Sequence, residues 1–274
     1  MLEVPLGWQL AKIAASVSMV LGLGVIAVRV SPRVAGLLAG YPLGTALALF
    51  FIGLEISPLY AAQSAVHTLA GFTATMALGA GYWLCGRTPG MRGILLGTCG
   101  GLAAWFAVSL VLARFDFTRL SGTLVTLCAI VVFSLLFRRI PDSVASARAP
   151  FSWRALFARA LLATAIIFVI TTLAHWVPTA WAGTLAAFPI TMLPFLLILH
   201  LSQGPAPAAT VIKHYPMGLG SLWSYALCVS YTYDAWGLVP GTLAGFLVAT
   251  LWLLGWMKLQ RWWSARRLKA RPGV

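Results

Sequence analysis

The chain has 274 residues, of which 61% are hydrophobic and only 9% charged, and its mean hydropathy is +0.92. Soluble domains carry about a quarter of charged residues, so a soluble globular protein is excluded and the composition reads as a polytopic membrane protein. A formal charge of +14 would suit nucleic acid, but the basic residues flank apolar segments or fill one loop and one tail, which points to lipid headgroups as partners and away from nucleic acid.

Segments long enough to cross about 30 Å of hydrocarbon, roughly 20 residues each as helices, fall at Leu6–Val28, Val34–Leu54, Pro58–Leu84, Met91–Ala113, Thr118–Phe137, Ala155–Trp176, Ala180–Leu201, Pro205–Thr232 and Ala235–Met257. Lipid obliges every backbone group to bond internally, and these segments are too long for the alternating strands of a barrel. The expected fold class is therefore all-α, with about nine transmembrane helices. Glu3 and the lack of a basic stretch before Leu6 make the first segment a span rather than a cleaved signal. Cys85, Cys99, Cys128 and Cys228 are scattered without ligand spacing and read as small packing residues.

One stretch occurs twice. Ala35–Gly71 aligns without a gap on Ala182–Gly218, and the identities include Pro42 with Pro189, Pro58 with Pro205, and His67 with His214. The same offset places Lys12 on Arg159. A slightly shorter one places Gly93, Gly97 and Gly101 on Gly237, Gly241 and Gly245. Each repeat unit is thus four segments long. The expected organisation is a first four-helix repeat (1–113), a linking helix and basic loop (114–152), a second four-helix repeat (153–258) and a basic tail (259–274). The unpaired fifth helix inverts the second repeat relative to the first. Arg29, Arg33, Arg87, Arg92, Arg138, Arg139, Arg148 and Arg154 then share one side with the basic tail, which puts the N-terminus outside and the C-terminus in the cytoplasm.

Inverted repeats of this kind are common in secondary transporters, whose sites lie near the midplane where interrupted helices meet. Pro42 and Pro189 fall mid-segment, each after an aromatic residue (Tyr41, Phe188) and before a hydroxyl residue (Thr45, Thr191). A mid-helix proline leaves a carbonyl one turn back without its donor. Pro194 and Pro216 are further interruptions. His67, Lys213 and His214 are ionisable groups inside apolar segments, and such groups face a cavity or a partner. Lys213 has no acid on its own segment, and Glu55, at the outer end of the second segment, is its one candidate partner. Lys12 and Arg159 lie nearer segment ends and are expected at the two mouths of a pathway. The glycines at 97, 100 and 101, and those at 237, 241 and 245, have the spacing of close helix contacts.

No phosphate-binding loop, metal-ligand spacing, nucleophile elbow or carboxylate pair is present in the sequence, so neither an enzyme nor a cofactor is expected. The pattern Ala-Gly, four residues, aromatic-Pro, at Ala35–Pro42 and again at Ala182–Pro189 with Ile190-Thr191 following, resembles the GlpM-like small bacterial inner-membrane proteins. The first copy departs from it at Tyr41 and Leu43. The resemblance covers about forty residues in each half and implies a fused duplication in the bacterial inner membrane with a general link to polysaccharide production. The reading that follows is a permease or flippase-like transporter for an anionic small molecule or lipid-linked phosphate. Its substrate-binding residues would be Tyr41, Pro42, Thr45, His67, Phe188, Pro189, Thr191, Lys213 and His214; membrane lipids, and in some settings a second copy of the chain, would be its partners. The alternative is a non-transporting accessory protein for envelope polysaccharide or lipid export.

Overall fold

A computed structural model describes residues 6–29, 38–143 and 153–269, and these form ten α-helices with no strand among them. The helices are α1 (Leu6–Arg29), α2 (Leu43–Glu55), α3 (Pro58–Cys85), α4 (Gly90–Leu112), α5 (Arg119–Phe137), α6 (Trp153–Ala174), α7 (Thr179–Ala186), α8 (Met192–Gln203), α9 (Pro205–Trp236) and α10 (Leu238–Lys269). The all-α class therefore holds for the described residues. The segment expected at Ala180–Leu201 is two helices, α7 and α8. The one expected at Val34–Leu54 is described from residue 38, as a helical Leu38-Ala39, a turn, and then α2. Residues 34–37 and most of the basic loop (144–152) lie outside the described residues. Helix α10 continues well past Met257, where a tail was expected, because no Gly or Pro interrupts the strong helix formers up to Lys269.

Local chemistry sets the helix ends. Ser57 caps α3 by accepting the Tyr60 N–H at 3.1 Å, with Pro58 in the first turn. Thr118 and Ser121 cap α5 reciprocally. Gly204 (φ 85°) and Gly237 (φ 84°) turn the chain from α8 into α9 and from α9 into α10. Gly237 is accordingly a turn residue rather than part of a close-contact face. Pro216, expected as an interruption, is carried inside an unbroken α9, and Pro194 sits in the first turns of α8, where its missing N–H costs little.

Helices α3 and α9 form the centre, packed on each other and enclosed by α4, α5, α7 and α10. Their buried faces interleave large side chains such as Phe72, Tyr82, Tyr215 and Tyr225 with many Gly, Ala, Ser and Thr, which allow close backbone approach. The peripheral helices turn large apolar side chains outward, among them Leu95 and Leu110 of α4, Leu124 and Val131 of α5, and Leu243 and Leu251 of α10. Helices α4, α5, α6 and the Leu238–Leu259 part of α10 are long and apolar enough to cross a membrane. Apolar helices with apolar outer faces are compatible with a membrane location.

The duplicated sequence packs in duplicate. In α3 and α4, Gly97 lies against Gly86 and Gly101 against Leu78; in α9 and α10, Gly241 lies against Tyr233 and Gly245 against Tyr225. Gly86 and Tyr233 are repeat equivalents, as are Leu78 and Tyr225. Between the halves the contacts are reciprocal. A Cβ on Gly71 would stand 2.8 Å from that of Ala187, and one on Gly40 would run into the Gly218 carbonyl. Gly71 is the equivalent of Gly218, and Gly40 of Ala187.

Candidate functional site

Both central prolines break their helices, and they do so with the same hydrogen bonds. Pro189 has no N–H for the Leu185 carbonyl four residues back, so the Phe188 N–H takes that carbonyl instead at 2.9 Å. The Ile190 N–H then turns back to the Phe188 carbonyl (2.7 Å), and the Leu193 N–H to the Pro189 carbonyl (2.9 Å) starts α8. In the first half the Tyr41 N–H bonds the Leu38 carbonyl (3.0 Å), the Leu43 N–H the Tyr41 carbonyl (2.8 Å), and the Ala46 N–H the Pro42 carbonyl (2.7 Å). Each of the three bonds is the repeat equivalent of its counterpart.

The two breaks face each other. Ala39, Tyr41, Gly44 and Thr45 from the first, and Ala187, Phe188, Pro189, Ile190 and Thr191 from the second, line one pocket closed by Tyr215 and Leu222 of α9. It is tight, about 10 Å³, on the order of one water molecule. A Cβ on Gly44 would stand 2.8 Å from that of Ile190, so a glycine is required there. Tyr41 is oriented by Phe246, on which it stacks at 6.1 Å, and by a 2.9 Å bond between its hydroxyl and that of Thr250. Phe188 meets the edge of the buried Trp105 at 5.3 Å, and among the described residues the Trp105 Nε1 has no hydrogen-bond partner. On the far side of the second break, Thr75 donates to the Ala187 carbonyl at 2.5 Å and Thr68 to the Gly183 carbonyl at 2.9 Å. Thr75 thus satisfies a carbonyl that the irregular segment exposes, while the Gly183 carbonyl, already bonded by the Ala187 N–H at 3.0 Å, takes Thr68 as a second donor.

Of the residues expected to bind substrate, Tyr41, Thr45, Phe188, Pro189 and Thr191 come together in this pocket, with Pro42 buried beside them. The ionisable residues do not. His67 is half-buried against α7, with its ring edge-on to Phe117 at 6.4 Å. Lys213 has the acidic partner that it was expected to lack: its Nζ lies 3.1 Å from Asp142 Oδ2, and His214 Nε2 lies 2.9 Å from the other oxygen. Asp142 follows α5 in what reads as a purely basic loop, and packing of α5 on α9 delivers it there; Ser143 anchors the same segment through its N–H to the Thr210 hydroxyl at 3.0 Å. Hydrogen bonding to His214 first, with Lys213 adding to it, lowers the Asp142 pKa from 3.8 to about 2. Lys213 therefore belongs to an ion-pair cluster at the end of the bundle.

Glu55 is likewise not available to Lys213. It pairs with Lys12 in a site where both side chains are only 4% exposed, and its second oxygen lies 3.2 Å from His175 Nε2. Lys12 also donates to the Thr171 hydroxyl at 2.7 Å and lies over the Phe168 ring at 4.8 Å. Arg159 is 5% exposed, over the Phe195 ring at 4.7 Å. Both cations were expected to reach out at pathway mouths, and both are instead folded into the interior. Sequence reasoning missed Thr68, Thr75, Trp105, Tyr215 and Leu222. The spacing of Thr68 and Thr75 on one helix face was the one signal available for the pair that holds the break.

No protein-family model, no curated protein and no solved structure matches this chain.

Proposed function

We propose that the chain is a membrane transporter, permease or flippase-like, which moves an anionic small molecule or a lipid-linked phosphate past a site where two inverted repeats meet. The observation that carries this reading is the pair of identically hydrogen-bonded breaks facing each other across one pocket. A proline kink used only for packing has no reason to be duplicated in its bond pattern and then apposed to its own copy. Exchange of the Gly71–Ala187 contact for Gly218–Gly40 supports a two-fold relation between the halves.

Side-chain contacts support a chain that crosses back and forth nine times with the second repeat inverted. Lys12, Glu55 and His175, and separately Arg119 with Ser230 (2.7 Å to its carbonyl), join ends that such a path puts on the outer side. His200 with the Thr88 carbonyl (3.0 Å), and Lys213 and His214 with Asp142, join ends on the inner side. The pocket as it stands admits about one water, which describes a closed state from which one or other half opens. The GlpM-like resemblance and a place in the bacterial inner membrane, N-terminus outside, belong to the same proposal.

Alternating access gives the test. With the four native cysteines replaced by alanine, single cysteines at Thr45 and Thr191 are exposed to a membrane-impermeant maleimide in right-side-out and in inside-out vesicles. A transporter lets each position react from both sides, slowly. A sealed accessory protein shows reaction at neither position, or from one side alone, and that outcome removes the transport reading.

A further inference from the structure

Of the two buried cations related by the repeat, one is compensated and the other is not. Lys12 has Glu55, whereas the residue that stands in the second half where Glu55 stands in the first is Ser202. Among the described residues no carboxylate lies within ion-pair distance of Arg159, and its Nε is buried without a hydrogen-bond partner. The guanidinium keeps its charge at any accessible pH, and removing an ion from water without a counter-charge is unfavourable by several kcal/mol in a protein interior. The Phe195 ring at 4.7 Å offsets part of that. A guanidinium over a ring uses its face and keeps its in-plane donors, which form a fork matched to two oxygens of a carboxylate or phosphate. Phe195 lies one helical turn beyond Thr191, which lines the pocket between the breaks.

We propose that Arg159 binds an oxyanion, a carboxylate or phosphate group carried by a solute or by a lipid headgroup, where α6 packs on α8 next to the second break. This deepens the transport reading by naming the group that recognises the charge, and it moves that role from Lys213, which Asp142 already neutralises, to Arg159. The duplication explains why the site is single: the first repeat supplies its own anion in Glu55, and the second has the neutral Ser202 at that position.

The test uses equilibrium stability of the purified full-length chain. Unfolding temperatures are measured in lipid-stripped detergent with inorganic phosphate or acetate against chloride at equal ionic strength, and in mixed micelles containing phosphatidylglycerol against phosphatidylcholine. The wild-type protein should rise by about 5 °C or more at a hundredfold excess over its dissociation constant. A rise with phosphate or acetate identifies a solute oxyanion, and a rise only with phosphatidylglycerol identifies a headgroup. Arg159→Gln should weaken the response at least about tenfold, as expected when a charge-assisted pair is lost, while its stability without anion stays equal or increases. Arg159→Lys should retain part of the response, and Arg87→Gln, a guanidinium resting on the Trp83 ring, should retain all of it. No response of the wild type to any of these probes, or an undiminished response of Arg159→Gln, overturns the proposal. Binding is read without flux, so loss of this site leaves the vesicle result on the breaks standing, and the reverse.

Discussion

Replacing Lys12 with Met tests whether the buried Lys12–Glu55 pair holds α1 to the rest of the bundle. The substitution conserves length and removes the ammonium, its ion pair, its bond to Thr171 and its place over the Phe51 and Phe168 rings. The charged hydrogen bond contributes about 1.5–3 kcal/mol and the ring contacts about 0.5–1 each, but relief of the buried ammonium offsets much of this. The larger effect is on the partner: Glu55, 4% exposed, is left with His175, which is itself 26% exposed. Breaking a buried pair from one side costs about 3–5 kcal/mol. Because Glu55 keeps its 3.2 Å contact with His175, the expected loss is at the lower end, about 3 kcal/mol, or roughly 6–12 °C in unfolding temperature. Glu55→Gln alone should also destabilise, and the double variant should return to within about 1 kcal/mol of wild type, giving a coupling of about 2 kcal/mol or more. Tryptophan-fluorescence unfolding of the four proteins in detergent measures the cycle. Additive losses, or a Lys12→Met protein as stable as wild type, would refute the assignment of this pair as a coupled structural unit.

Two further substitutions probe the packing and the end cluster. Gly40→Ala and Gly71→Ala each insert a methyl at a reciprocal contact between the halves, and both should destabilise, by about 1–3 kcal/mol for overpacking, with Gly40 the worse because it meets backbone rather than the Ala187 methyl; equal tolerance of both in thermal unfolding would deny the close approach. For Asp142 the folded-state pKa lies below the unfolded one, so its contribution is fully present above about pH 4 and is lost only as pH falls through about 2. Asp142→Asn should therefore lower stability at pH 7 by no more than about 1 kcal/mol, because the carboxylate is 41% exposed, and the difference from wild type should disappear as pH falls through about 2; a difference that persisted below that pH would contradict it.

The class, the helix order and the breaks were legible because each leaves a local mark. Twenty apolar residues, or a proline matched in two copies, mean the same thing wherever the chain folds them. Charge pairing was not legible. Lys213 finds Asp142 and Lys12 finds Glu55 across large separations in sequence, and nothing in an apolar segment records which helix will lie beside it. Helix boundaries were misread in two places: α7 and α8 are short because Pro189 stops one and frees the other, while α10 outruns its apolar part because helix propensity, unlike hydropathy, does not end at Met257. Pro216 shows the converse limit, since a single proline inside a well-packed helix leaves it unbroken.

The two breaks have the same backbone bonds but different supports, and that difference determines which should open first. Thr68 and Thr75 of α3 bond the Gly183 and Ala187 carbonyls of the second break. Their repeat equivalents on α9 are Tyr215 and Leu222, and among the described residues neither donates a hydrogen bond to the first break. The first break is held from the other side by the bond between the Tyr41 and Thr250 hydroxyls, so at about 1 kcal/mol for each net hydrogen bond releasing the second break costs about 1 kcal/mol more than moving the first, a factor of roughly five in population. The segment around Tyr41 should therefore be the moving gate and the segment around Phe188 the fixed one. Thr68→Val with Thr75→Val keeps the shape and removes both donors, so it should raise the maleimide reaction rate at Thr191 by about ten- to thirtyfold and leave that at Thr45 within about twofold. Equal acceleration at both positions would mean that the breaks open together, and no acceleration at Thr191 would mean that the threonines do not hold it.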